Sequence, residues 1–158
     1  MTRIDKEVIL QQVVESLEAN LKVLVAAAFE AKEISTNEES KAENKYDTRG
    51  LEASYLASGQ AMRAQKLQEQ IYILKKVKLT DFNDKTPVGI GALVELSVDE
   101  SESKLLFILP IGGVEVSVDK KKLQTITIES PLGQNMHSQV VGYEFQLNGK
   151  EYELTGVN

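Results

Sequence analysis

The sequence predicts an α+β fold, in which an N-terminal antiparallel helical hairpin precedes a small, twisted antiparallel β-sheet domain with one short helix. The first observation is a change of hydrophobic period near residue 80, from helical spacing to short runs bounded by Gly and Pro. The second is a pair of apolar seams in the helical part. The third is two turn signals in the second part, Pro110–Gly113 and Asn148–Gly149. We expect the hairpin at residues 1–78, a linker at 79–87 and the sheet domain at 88–158.

Both seams follow a coiled-coil spacing that alternates four and three residues. Their members are Leu10, Val14, Leu17, Leu21, Leu24, Ala28 and Ala31, then Ala53, Ala57, Gln60, Ala64, Leu67, Ile71 and Leu74. When the seams are paired antiparallel, Leu10 faces Leu74 and Ala31 faces Ala53, so one hairpin closes both. Its turn falls near residue 42 and its tip at about 33–48. Each arm is roughly 40 Å long at about 1.5 Å per residue, so we expect the hairpin to project.

The predicted tip is narrow and acidic. Alanines fill the seams near the turn, which lets the two backbones approach closely, and carboxylates surround it: Glu33, Glu38, Glu39, Glu43, Asp47 and Glu52. A narrow, projecting hairpin of this kind is suited to insertion into a partner molecule. Acidic turns are also common where a turn is simply exposed to solvent. The start of the second helix likewise has a purely structural interpretation. There Asp47 or Thr48 caps the helix while Leu51 and Tyr55 pack on the first helix.

The second part contains six short β-type runs. They are Ala92 to Val98, Lys104 to Leu109, Val114 to Val118, Leu123 to Ile128, Tyr143 to Leu147 and Glu151 to Val157. The two turn signals are expected to close hairpins, and Asn148–Gly149 is a strong type I′ signal. Ser130 is placed to cap the short helix, with Pro131 at its first position.

Composition excludes several classes of function. The formal charge of -6 argues against a sequence-blind nucleic-acid binder, which usually carries a basic excess. The absence of Cys and the single His, His137, exclude disulfide frameworks, thiolate zinc sites and multi-His metal sites. No apolar run reaches the roughly 18–20 residues that cross a bilayer, and the first residues lack the apolar stretch of a signal peptide. We expect a soluble cytoplasmic protein.

These motifs, taken in order, resemble the GreA/GreB family of bacterial transcript cleavage factors over nearly the whole chain. The acidic-tipped hairpin is followed by Val88–Leu96, which is similar to the first strand of the family's C-terminal domain. Ser130-Pro131-Leu132-Gly133 resembles the family's turn into its short helix, and the chain closes with Asn148–Leu154. At the tip, Glu43-Asn44 followed by Tyr46 resembles the family's Glu-Asn-x-x-Tyr segment, one residue short. The resemblance implies an FKBP-like C-terminal domain.

The resemblance also implies a mechanism. The C-terminal domain docks on bacterial RNA polymerase beside the secondary channel, and the hairpin enters that channel towards the 3′ end of the nascent RNA. Acidic residues of the tip then help to hold the second catalytic Mg²⁺ of the polymerase and activate water; the candidates are Glu43, Glu39 and Asp47. Backtracked RNA is cut by the polymerase's own active site, so the protein is not an enzyme and has no cofactor of its own.

Other residues are expected at the interface with the polymerase. The resemblance assigns docking to Ser130, Pro131, Leu132 and Gly133, with Arg49 and Tyr46 near the tip. Basic side chains along the hairpin could meet RNA or the channel wall, although a solvated face with ordinary ion pairs is the more common arrangement. They are Lys22, Lys32, Arg49, Arg63 and Lys66. We expect a monomer without a membrane partner.

Two departures from the family keep a second interpretation open. Ser40 stands where the Asp-x-x-Glu-Asn tip of the cleavage factors has its first acid, and residues 134–138 replace the Leu-Leu-Gly-Lys segment that commonly follows the turn. In the second interpretation the protein binds the secondary channel and modulates or inhibits the polymerase without stimulating cleavage, as a Rnk-like or anti-Gre factor.

Two further interpretations come from other classes. In one, an FKBP-like domain isomerises prolyl bonds or binds peptides, although its aromatic residues follow core-facing alternation; they are Phe107, Tyr143, Phe145 and Tyr152. In the other, the hairpin mediates homodimerisation. That is disfavoured because both seams are already used within one chain.

Overall fold

A computed structural model describes residues 4–36 and 49–158 of the chain. Two long helices come first, α1 (Lys6–Thr36) and α2 (Arg49–Lys75). All fourteen residues of the two predicted seams are buried or half-buried, which is the pattern expected of helices that pack through those seams. Residues Glu15–Tyr72 form one compact unit. The other compact unit contains the start of α1, the end of α2 and the whole sheet.

Six strands and a third helix follow. Their bounds are β1 (Leu93–Val98), β2 (Glu102–Ile108), β3 (Glu115–Val118), β4 (Lys121–Ile126), α3 (Pro131–Met136), β5 (Glu144–Leu147) and β6 (Lys150–Val157). Each strand overlaps one of the six predicted runs. In the described part of the chain the strands form one sheet of order β3-β4-β2-β1-β6-β5. Four of its five pairings are antiparallel as predicted, whereas β2 and β4 are parallel, so the sheet is mixed.

The connection at Pro110–Gly113 is not the hairpin that the sequence predicted, because β2 and β3 are not neighbours. Gly113 N donates to Thr125 O at 2.8 Å, and Val114 N donates to the Thr125 hydroxyl at 3.0 Å. These bonds bring the segment alongside β4 instead of β2. The hairpin lies one strand later, where Asp119 and Lys120 adopt φ of 47° and 65°. No Gly or Asn marks that turn, so composition did not reveal it.

The predicted type I′ hairpin at Asn148–Gly149 is confirmed. Both residues have positive φ, 51° and 77°, and they join β5 to β6 in the register that pairs Leu147 with Lys150. On one face of these strands three rings stack, with centroids of Phe145 and Tyr152 5.1 Å apart and those of Tyr143 and Phe145 5.8 Å apart. The rings pack against the hydrophobic core, as their alternation predicted.

The central strands β1 and β2 are buried on both faces. One face belongs to a core that includes Leu96, Ile108 and Met136 of α3. On the opposite face, Leu93 and Phe107 are fully buried as well. Because successive side chains of a strand point to opposite faces, burial on both sides requires the continuous apolar runs that the sequence has here.

Lys6, the first residue of α1, is a buried lysine that joins three segments of the sheet-containing unit. Its side chain is only 9% exposed, and Nζ donates to Thr80 O at 2.6 Å and to Gly91 O at 3.1 Å. Nζ also lies 4.9 Å from the centroid of the Phe82 ring. A cation is disfavoured at a helix N-terminus, so these carbonyls and the ring compensate for an otherwise costly position.

Candidate functional site

The Ser130–Gly133 turn, which the resemblance assigns to docking, is a capped helix start. Ser130 is the N-cap of α3 in extended conformation, and its hydroxyl accepts a hydrogen bond from Gly133 N at 3.1 Å. The same hydroxyl donates to Thr127 O at 2.7 Å. Pro131 occupies the first helical position, where it has no N–H to leave unpaired. The predicted roles of Ser130 and Pro131 in starting this helix are therefore confirmed.

Gly133 is required by close packing. It is buried, and a Cβ built at this position would collide with Thr127 O and lie 2.8 Å from Ile128 Cα. The backbone of α3 is therefore in direct contact with the segment that follows β4. Only glycine permits this approach without a shift of one backbone against the other.

The remaining residues of the turn divide between core and surface. Leu132 is half-buried and packs against the core, whereas Pro131 is exposed. His137, the C-cap of α3, is exposed and donates its backbone N–H to Gly133 O at 2.8 Å. A docking partner would thus meet Pro131 and its exposed neighbours, while Ser130, Leu132 and Gly133 shape the turn that presents them.

Sequence reasoning missed two exposed apolar side chains near α3. Ile90 is 47% exposed and Val140 is 40% exposed. Ile90 comes shortly after Val88, and Val140 directly follows Gln139. Hydrogen bonds join these two segments: Val88 N donates to Gln139 O at 2.8 Å, and Ser138 N donates to Val88 O at 2.9 Å. Ile90 lies within the Val88–Leu96 motif and Val140 outside every motif, and exposure of a single Ile or Val cannot be read from its type.

The acidic candidates of the tip lie outside the described residues. These are Glu39, Glu43 and Asp47, together with Tyr46. Arg49 begins α2, and its side chain also lies outside what is described. Residues 33–36, the first residues of the predicted tip, belong to α1 and are helical. Elsewhere in the described ranges, no group of three or more His, Asp or Glu is placed to hold a metal ion.

The structural interpretation of the start of α2 is wrong for two residues. Leu51 and Tyr55 were expected to pack on the first helix, but they are 53% and 68% exposed. The helix turns their side chains away from the seam residues Ala53 and Ala57, which are half-buried. The basic residues Lys22, Lys32, Arg63 and Lys66 are exposed as well. The hairpin surface therefore offers both apolar and cationic side chains.

No helix among the described residues is long and apolar enough to cross a membrane.

Comparison with known proteins gives structural likeness alone. No protein-family profile matches the chain, and no curated protein sequence matches it. The crystal structure of GreA factor homolog 1 (Gfh1) of Thermus thermophilus aligns with 92% of this chain and 94% of its own, at 22% identity and a TM-score of 0.36. A second structure, of the transcription factor Gfh1, aligns with 92% of each chain at 21% identity and a TM-score of 0.38. Scores this low carry no argument about function.

Proposed function

We propose that this protein is a transcription elongation factor of the Gre type, which binds bacterial RNA polymerase and inserts its helical hairpin into the secondary channel. The observation that carries the proposal is the order of its elements. Two long helices precede a sheet domain that contains the capped Ser130–Gly133 turn and closes with the Asn148–Gly149 hairpin. These are the features on which the sequence resemblance to the GreA/GreB family rests.

The proposal divides the work between the two parts of the chain. The C-terminal domain, FKBP-like in this proposal, docks on the polymerase, and the hairpin brings carboxylates to the polymerase active site in the cytoplasm. Glu43, Glu39 and Asp47 offer the hard oxygen ligands that Mg²⁺ prefers, and a second metal ion stabilises the attacking and leaving oxygens of phosphodiester cleavage. The protein itself catalyses nothing, since the polymerase performs the cleavage of backtracked RNA.

The alternative keeps the binding and drops the stimulation of cleavage. Ser40 stands where the family's tip has an Asp, so one carboxylate of the usual pair is missing from its place. With fewer ligands for the metal, the hairpin would occupy the channel and modulate or inhibit the polymerase.

A stalled, backtracked bacterial elongation complex with labelled RNA distinguishes the two. At fixed Mg²⁺, a cleavage factor produces shortened transcripts that can be extended again. A channel binder without stimulation slows elongation or blocks the action of GreA and releases no short RNA. If the protein neither binds the polymerase nor changes either reaction, the proposal is wrong.

A double variant tests the tip. Glu39→Ala with Glu43→Ala should reduce cleavage to the polymerase's own background while binding is retained. The matched control is Glu30→Ala with Glu69→Ala, which removes the same charge from exposed positions of α1 and α2 outside the predicted tip. Cleavage by the tip variant at the wild-type rate would show that these acids are wrongly assigned.

The docking surface is tested at its exposed residue. Pro131→Glu introduces a glutamate, which is tolerated in the first turn of a helix, and adds a negative charge to the proposed interface. We expect polymerase affinity to fall at least about tenfold, as for a residue near the centre of an interface. Gln124→Glu, at an exposed position of β4, is the control. Equal affinities for both variants would remove α3 from the interface.

A further inference from the structure

A second apolar stripe runs along α2, on the side opposite the hairpin seam. We call it the outer stripe; it consists of Leu51, Tyr55, Ser58 and Met62, spaced by four, three and four residues. Tyr55 and Met62 each precede a seam residue by two positions, which is about 200° around the helix. Leu51, Tyr55 and Met62 are 53%, 68% and 72% exposed. This is a coiled-coil spacing on a face that no described residue of the chain covers.

We propose that the outer stripe pairs antiparallel with the outer stripe of a second copy of this chain. The stripe is self-complementary about a two-fold axis between residues 56 and 57. Leu51 then faces Met62 of the second copy, and Tyr55 faces Ser58 of the second copy, so that a large side chain meets a small one. Beside Ser58, Gly59 has nothing within 4 Å of a Cβ, which leaves room for the tyrosine ring. An interface of this kind uses the same patch on both copies.

The charges beside the stripe favour the same alignment. Glu52 and Arg63 lie on one flank, and in the antiparallel arrangement Glu52 is about 3 Å along the axis from Arg63 of the second copy. The other flank carries Ser54, Ala61 and Gln68, which are uncharged. No like charges are brought face to face, and opposite charges across such an interface stabilise the antiparallel orientation.

The proposed dimer is weak. Stable interfaces bury about 1,600 Å² in total, and a stripe of four residues per copy supplies less than that. The dimer therefore forms only at high protein concentration, and the chain is a monomer when dilute. It does not depend on the proposed function, because it involves only copies of this chain.

Sedimentation equilibrium tests the association. From about 10 µM to about 1 mM, the weight-average mass should rise from the 17.5 kDa of one chain towards twice that value. Tyr55→Lys should hold the mass at that of one chain, while helicity stays unchanged because lysine is a good helix former. Leu56→Lys is the matched control: it changes the next residue, which is 56% exposed and off the stripe, and should leave association intact. A mass of one chain at every concentration would overturn the proposal, as would equal association of the Tyr55→Lys variant.

Disulfide trapping tests the orientation, since the chain has no Cys of its own. A mixture of Leu51→Cys and Met62→Cys proteins should form a mixed disulfide. Leu51→Cys alone should not cross-link, because its two copies lie about 16 Å apart along the axis, and a disulfide needs Cα atoms within about 7 Å. If Leu51→Cys cross-links with itself more readily than the mixture does, the antiparallel pairing is refuted.

Discussion

The substitution Gly133→Ala tests whether α3 is held by backbone contact to the segment after β4. The added Cβ would collide with Thr127 O and lie 2.9 Å from the Ser130 hydroxyl. Thr127 O is itself fixed, because it accepts hydrogen bonds from the Ser130 hydroxyl at 2.7 Å and from Ser130 N at 3.2 Å. The collision can therefore be relieved only by moving α3 or by breaking its N-cap.

The cost follows from three terms of known size. Overpacking a buried position costs about 1–3 kcal/mol. A displaced Ser N-cap costs about 1 kcal/mol more, while alanine is favoured over glycine within a helix by about 1 kcal/mol. We expect Gly133→Ala to lower the free energy of unfolding of the sheet-containing unit by about 2 kcal/mol.

Gly59→Ala is the matched control, because it makes the same change in a helix where a Cβ would meet nothing within 4 Å. It should raise stability by about 0.5–1 kcal/mol. Hydrogen exchange of backbone amides measures both, on the β-strands for Gly133→Ala and on α2 for Gly59→Ala. If the two substitutions change stability with the same sign and similar size, the close approach at Gly133 is not what selects glycine there.

Three further substitutions test single interactions by urea denaturation. Lys6→Met removes the donor from two backbone carbonyls and should cost about 2–4 kcal/mol; a loss below about 1 kcal/mol would show that the ammonium does not join these segments. Thr125→Val preserves shape but leaves buried Val114 N without its hydroxyl acceptor, so we expect a loss of about 1–3 kcal/mol, and wild-type stability would refute that bond. Gln60→Leu should instead stabilise the hairpin by about 1–2 kcal/mol, because the side-chain oxygen of Gln60 is buried and has no hydrogen-bond partner among the described residues. A destabilised Gln60→Leu protein would indicate that the amide is satisfied.

Local signals in the sequence were enough to predict the elements. The seams of α1 and α2 are visible because coiled-coil spacing repeats every seven residues and needs no knowledge of distant contacts. The cap at Ser130 and the turn at Asn148–Gly149 are equally local, since each depends on the backbone preferences of two or three neighbouring residues. The acids Glu39, Glu43 and Asp47 rest on the same kind of local evidence, and their assignment stays a prediction.

Only the tertiary structure decided how those elements are joined. The parallel pairing of β2 with β4 aligns Leu105 with Leu123 and Ile108 with Ile126, and no turn signal encodes contacts between residues so far apart in the chain. From the sequence, Lys6 would be assigned to the solvated surface. In the structure it is buried, because the carbonyls of Thr80 and Gly91, far along the chain, accept its hydrogen bonds. The exposure of Leu51 and Tyr55 is different, because it follows from spacing alone: each stands two positions before a seam residue, about 200° around the helix. For the pairing of β2 with β4 and for Lys6 the deciding contact is distant in sequence, whereas spacing and propensity report only on neighbours.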